Sequence, residues 1–226
     1  MKTIAYIDGY NLYYSLLRGS PYKWLDVVRL VDGILKIQAP TNQLLSVKFF
    51  TAPVLANYAR HGAESVAAQS AYLRALDRVH GTKFCTIQGR HSPAKEWLPA
   101  VVDDTKLDRS NKTHVWKLSE KQTDVNLTLH MYRDAILATA EQVVLVSNDS
   151  DFEPLLKSIR ADTSVQVGLI APLPKLDAGK HRRPSVSLQQ NAHWARTHIL
   201  ESELNEAQLS EKVSTKKAVI RKPAHW

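Results

Sequence analysis

The chain has a single cysteine, Cys85, among its 226 residues. No internal disulfide is available, which suits a reducing compartment and rules out a cysteine-rich structural zinc site. Long apolar runs are missing as well. No stretch approaches the roughly 20 apolar residues of a membrane span. The run ahead of Asp8 is too short for the core of a signal peptide. The expectation is a cytoplasmic protein with no membrane partner. The G-x-G-x-x-G and P-loop fingerprints of dinucleotide and nucleotide binding are absent. Gly89-Arg90-His91-Ser92 holds a serine and a histidine but no nucleophile elbow. His193 and His198 are five apart, not at the i, i+4 spacing of a helical zinc pair.

What is present is core and positive charge. Hydrophobic residues make up 44% of the chain, enough for a large buried interior, and the formal charge is +8 with a pI near 9.5. A basic surface attracts polyanions, nucleic acid first among them. Short runs rich in Val, Ile and Leu at Ile4–Ile7, Leu44–Phe50, Val143–Val146 and Val165–Ile170, with a weaker one at Phe84–Gln88, read as strands buried on both faces. Helical spacing lies between them. It predicts helices over Asp26–Leu35, Glu64–Val79, Asp124–Leu137 (apolar stripe Val125, Leu129, Tyr132, Ile136) and Phe152–Ile159. Strands alternating with helices make an α/β fold with a parallel sheet covered on both sides.

Two segments break the alternation. His91–Lys117 is polar and proline-containing and reads as a long loop, ending in a short strand at His114–Leu118. After residue 172 the chain turns basic and proline-punctuated, so the expected division is a domain over 1–172 and a linker with a basic extension over 173–226. A helix over Leu188–Leu204 fits within that extension. Arg182, Arg183, Lys216, Lys217, Arg221 and Lys222 are expected to assist substrate binding there rather than catalysis. Cys85, mid-strand in an apolar run, is expected to be an inert buried thiol.

The chemistry-bearing residues are acidic. Asp8 ends the first strand, where α/β sheets keep their ligands, and Gly9 suits a sharp turn. Asn11 falls on the first turn of the next segment. Asp8 equally suits an N-cap for a helix over Tyr10–Leu17. Ser147-Asn148-Asp149-Ser150-Asp151 follows the fourth strand. Its two aspartates are either caps or, since like charges held close repel, ligands of a divalent cation. Asp124 opens the helix before that strand, with Lys121 beside it as a cation for a phosphate. Ser119 and Gln122 fit a capping box for the same helix. Tyr10, Tyr13, Tyr14, Tyr22 and Trp24 flank the first acidic cluster. Core packing is their leading reading and base stacking the alternative.

Tyr6-Ile7-Asp8-Gly9-Tyr10-Asn11-Leu12-Tyr13, Lys121-Gln122-Thr123-Asp124-Val125-Asn126-Leu127 and Leu145-Val146-Ser147-Asn148-Asp149-Ser150-Asp151-Phe152-Glu153-Pro154-Leu155 occur in this order. They resemble the three motifs of NYN domains, the LabA-like branch of the PIN-like nuclease superfamily. The resemblance covers about residues 2 to 172, and Ile220–Trp226 resembles an ending seen in some bacterial members. It implies a PIN-like three-layer sandwich with a parallel sheet of about five strands in order 3-2-1-4-5. It also implies a Mg²⁺ or Mn²⁺ site made by Asp8, Asp124, Asp149 and Asp151, and hydrolysis of RNA. Asn11, Lys121, Ser147 and Asn148 are the candidate substrate-binding side chains. Asn148 stands where many members have glycine, a substitution that a left-handed turn would tolerate. RNA is the expected partner, and homo-oligomerisation is left open. The alternatives are a non-catalytic RNA- or protein-binding module and a small-molecule enzyme reusing the same pocket.

Overall fold

A computed structural model describes residues 1–102, 106–175, 183–216 and 218–226. Among the described residues there are ten strands and seven α-helices, largely in alternation. The first half comprises β1 (Lys2–Asp8), α1 (Gly9–Leu12), α2 (Val27–Gln38), β2 (Gln43–Thr51), α3 (Ala63–His80), β3 (Phe84–Gln88), β4 (Arg90–Pro99) and β5 (Lys112–Lys121). The second comprises α4 (Thr123–Ile136), β6 (Gln142–Val146), α5 (Glu153–Asp162), β7 (Gln166–Ile170), α6 (Val186–Gln190), β8 (Trp194–Arg196), α7 (Glu201–Glu206), β9 (Lys212–Ser214) and β10 (Val219–Arg221).

The main sheet runs β3-β2-β1-β6-β7-β8, all parallel. Its first five strands follow the expected order, and β8 adds a sixth. Each strand alternates between two cores. Ala5, Ile7, Val47, Phe49, Val144 and Val146 face the layer of α2, α3 and α7, whereas Ile4, Tyr6, Phe50, Val143 and Leu145 face that of α4 and α5. Burial on both faces is why these strands read as continuous apolar runs. The helices match their expected spans within a few residues, and Asp26 caps α2 by accepting from Arg29 N–H at 2.9 Å.

Four expectations are corrected. The segment His91–Lys117 is not mainly loop: β4 and β5 form an antiparallel ribbon paired over ten residues each, and the expected strand His114–Leu118 lies within β5. It carried no core signal because both of its faces meet solvent. The stretch Leu188–Leu204 is not one helix, but α6, β8 and the start of α7. Of the stripe Val125, Leu129, Tyr132 and Ile136 of α4, only Tyr132 packs against the core; Val125 and Leu129 are 61% exposed each, and Thr123, Leu127, Met131 and Ala135 face the sheet instead. Cys85 is exposed, because β3 is the edge strand of the sheet.

The segment after residue 172 does more than extend the fold. It supplies β8, and Ile199, Leu204, Ala207, Leu209, Val213 and Ile220 join the first core. Trp226 packs its ring on Trp24 and Tyr72. Arg183, Lys216, Arg221 and Lys222 belong to this part, while Arg182 and Lys217 lie outside the described residues. Among the described residues no helix is long and apolar enough to cross a membrane.

Candidate functional site

β1 and β6 are neighbours, and the connections leaving their carboxyl ends diverge to opposite sides of the sheet. That divergence opens a crevice at the switch point, the place where parallel sheets present ligand-binding residues. Asp8, Ser147 and Asp149 all fall there.

Asp8 is 3% exposed. One carboxylate oxygen accepts the Asn11 N–H at 2.9 Å, so Asp8 is the N-cap of α1, and the other accepts the Ser147 hydroxyl at 3.0 Å. The capping and site-forming readings therefore coexist. Helix α1 passes straight into a π-helical turn, Tyr13–Leu17, so the expected single helix changes its winding after one turn. The buried Ser147 oxygen also accepts the Asp149 N–H at 3.1 Å, which couples the ends of β1 and β6 through one hydroxyl. The Asn11 side chain accepts the Asn148 N–H at 3.0 Å, a second stitch between the same segments.

Gly9 is not in the left-handed region among the positive-φ residues. Its requirement is space: a Cβ there would lie 2.7 Å from the Phe50 carbonyl oxygen and 2.8 Å from the Phe49 ring. We expect Gly9→Ala to destabilise the fold by about 1–3 kcal/mol through overpacking. Urea unfolding checks this, and an unchanged midpoint would show that β1 and β2 separate freely at this edge. Asn148, too, lacks a positive φ. Its amide instead donates to the Arg183 carbonyl at 3.1 Å and its oxygen accepts the Ser185 N–H at 2.7 Å, tying the C-terminal segment to the site.

Asp149 is half-buried and caps the next turn by accepting the Asp151 N–H at 3.1 Å; Asp151 itself is exposed. Asp124 is exposed on the first turn of α4. The expected capping box is replaced by Glu120, whose carboxylate takes both the Thr123 N–H and the Thr123 hydroxyl. Gln122 sits in a left-handed conformation at φ 77° to make the turn from β5 into α4. Lys121, the last residue of β5, is exposed and in no ion pair among the described residues.

The electrostatics record the crowding. Burial pushes the Asp8 carboxyl up to about 6, the charges of Asp124 and Asp149 adding to it and the Asn11 and Ser147 hydrogen bonds opposing it. Partial desolvation raises the Asp124 carboxyl as well, although it keeps contact with solvent, with the charges of Glu120, Asp149 and Asp151 contributing. No lysine or arginine among the described residues pairs with any of these four aspartates. As the side chains stand, no three His, Cys, Asp or Glu groups among the described residues close into a metal-binding cluster. Asp149 is turned to its capping bond and Asp124 and Asp151 to solvent, so the four carboxylates share one field rather than one cage.

Three features were missed from the sequence. Glu120 adds a fifth carboxylate to the group. The Tyr10 hydroxyl meets His91 Nε2, joining the site to the base of the ribbon. The Arg183–Ser185 strap rests on Asn148. Of the flanking aromatics, Trp24 is fully buried and Tyr22 packs against the first core, while Tyr13 and Tyr14 are exposed, so the packing reading holds for only part of the set.

The chain belongs to the NYN domain family, whose profile it matches over residues 2–192. It is 37% identical over 242 aligned positions to 6-hydroxy-3-succinoylpyridine 3-monooxygenase HspA of Pseudomonas putida (strain DSM 28022 / S16). That match takes in 100% of this chain and 75% of the relative. Its fold resembles the crystal structure of VPA0982, a protein of unknown function from Vibrio parahaemolyticus RIMD 2210633. The TM-score is 0.50 at 18% identity, over 88% of this chain and 92% of the other.

Proposed function

We infer that this protein is a metal-dependent ribonuclease, hydrolysing RNA phosphodiester bonds at the edge occupied by Asp8, Asp124, Asp149 and Asp151. The observation that carries this is the mutual electrostatic field of Asp8, Asp124, Asp149 and Asp151, carried by three chain segments at the β1/β6 edge, none of them in an ion pair among the described residues. Membership of the NYN family supports it.

The donor set is all hard oxygen, which suits Mg²⁺ or Mn²⁺. Asp8 and Asp149 would hold the ion, with Asp124 and Asp151 completing its shell directly or through water. When bound, the ion supplies a Lewis acid for the phosphate and a more acidic water as nucleophile. The chain's own residues do the rest. Asn11 N–H and the Ser147 hydroxyl fix the Asp8 carboxylate in place. Ser147 and Asn11 hold the Asp149 and Asn148 backbone against it. Lys121, close in sequence to Asp124 and in no ion pair among the described residues, is the cation available to a substrate phosphate.

A second reading is favoured by the whole-length likeness to a pyridine monooxygenase. In it the same crevice serves a small hydroxylated heterocycle, with dioxygen and a two-electron reductant. One set of incubations separates the two. Purified protein is mixed with unstructured RNA or single-stranded DNA in EDTA or Mn²⁺, and separately with 6-hydroxy-3-succinoylpyridine and a nicotinamide reductant. We expect Mn²⁺-dependent RNA fragments that EDTA abolishes. Oxygen uptake dependent on the pyridine, without RNA cleavage, would replace the nuclease reading with the second. A salt-sensitive gel shift without either would make the protein a binding module.

A further inference from the structure

We propose that one face of the β4–β5 ribbon is a stacking track for single-stranded nucleic acid, leading to the acidic edge. The proposal rests on the nuclease reading only for where the track leads, not for what it binds.

Directly opposed residues of an antiparallel pair put their side chains on the same face. The pairs His91·Glu120, Pro93·Leu118, Lys95·Trp116, Trp97·His114 and Pro99·Lys112 therefore share one face of the ribbon. Trp97 is 63% exposed and Trp116 61%, on strands that pair with each other and with no strand of the main sheet. The Trp97 and His114 rings are already stacked, with centroids 4.7 Å apart and planes 15° from parallel. Lys95 Nζ lies 4.9 Å from the centre of the Trp116 ring, and Tyr58 meets that ring edge-on at 6.1 Å. Flat rings interleaved with lysines match a polymer of bases and phosphates.

Charge favours this occupant over an apolar protein surface. Lys95 and Lys112 are exposed on the face. The carboxylate of Glu96 lies on the opposite face, where Lys117 binds it at 3.1 Å. Glu120, at the base, is engaged by Thr123. The whole chain carries +8.

Direction favours it too. The track spans about 20 Å from His91 to Trp97, at ~3.4 Å per residue, far longer than one small heterocycle. At its base His91 touches Tyr10, two residues beyond Asp8. The ribbon is seated firmly there: a Cβ on Gly89 would lie 2.5 Å from the Lys121 carbonyl oxygen, so the strands leave the sheet in close contact.

The test is fluorescence anisotropy in EDTA with a labelled, unstructured RNA of about a dozen nucleotides. Its single-stranded DNA counterpart and the matching RNA duplex are run alongside. We expect both single strands to bind more tightly than the duplex, since stacking uses base faces that pairing hides. Trp97→Ala and Trp116→Ala should each weaken single-strand binding about tenfold, while Trp97→Phe and Trp116→Phe retain most of it. Circular dichroism and melting temperature should not change, because both rings are exposed. Unchanged affinity in the alanine variants, or equal affinity for the duplex, overturns the track. So does a fall in sedimentation mass in the alanine variants, which would make the face a self-association surface. Binding that depends on the tryptophans without any cleavage in Mn²⁺ keeps the track and removes the nuclease reading. Cleavage indifferent to the tryptophans does the reverse.

Discussion

An Asp149→Asn protein is expected to cleave RNA in Mn²⁺ at least on the order of 10²-fold more slowly than the wild type, with its fold intact. The two halves of this expectation have separate causes. Asp149 sits beside Ser147, whose oxygen bridges it to Asp8 across the β1/β6 crevice. Removing its charge takes away one of the two carboxylates central to the proposed ion site, and the amide is a weaker ligand for a hard cation. Its structural duty is a single capping bond, accepted from Asp151 N–H at 3.1 Å. Asparagine caps nearly as well as aspartate, so this bond survives at a cost of a few tenths of a kcal/mol. Initial cleavage rates and a thermal melt on the same preparation check both halves. Full activity in the variant would remove Asp149 from the chemistry; a collapsed melt would make it a structural residue.

The parallel sheet was legible because its physics is local. A strand covered on both sides must be apolar at every position, and Ile4–Ile7, Leu44–Phe50 and Val143–Val146 say so directly. The acidic edge was legible for a related reason. Asp8 and Asp149 each follow such a run, so a carboxylate after a buried parallel strand is placed by the topology alone. What the topology could not supply was the orientation of each side chain. Expected as one cage, the four carboxylates instead divide between capping, solvent and a buried pair of hydrogen bonds.

Elements without a buried face left little trace. The ribbon's strands hold Pro93 and Pro99 and alternate between side chains that all meet solvent, so neither composition nor periodicity separates them from a loop. Helix α4 was found but its face was not. Val125, Leu129 and Ile136 form one apolar row, and Thr123, Leu127, Met131 and Ala135 form another. The second row is the buried one, with Leu127 and Met131 fully enclosed in the second core. Spacing is blind to that choice. The C-terminal segment was hidden differently. Its core residues, Ile199 to Ile220, are scattered singly among polar ones, and only the assembled first core collects them.

An Asp8→Asn protein is expected to be more stable than the wild type at pH 7 by about 1–3 kcal/mol when both are kept in EDTA, and to be inactive toward RNA in Mn²⁺. Burial, with Asp124 and Asp149 adding, lifts the Asp8 carboxyl from 3.8 to about 6. The sign follows from linkage. A folded-state value above the unfolded one means the native protein binds this proton more tightly. The group therefore contributes stability that is fully present below about pH 4 and is lost as pH rises through about 6. The displacement corresponds to roughly 3 kcal/mol at most, most of it already lost at pH 7. Asparagine never carries the charge. Its oxygen can still accept the Asn11 N–H, and its amide can donate to the Ser147 oxygen once that hydroxyl rotates. Urea unfolding of both proteins between pH 4 and 8 isolates the contribution as a difference: the variant's advantage should be large at pH 7 and fade toward pH 4. Adding Mn²⁺ should stabilise the wild type and leave the variant unmoved, since an ion that binds only the native carboxylates stabilises by mass action. A difference that is flat with pH would mean that Asp8 is not strained by its surroundings. A Mn²⁺ response retained by Asp8→Asn would take Asp8 out of the proposed ion site.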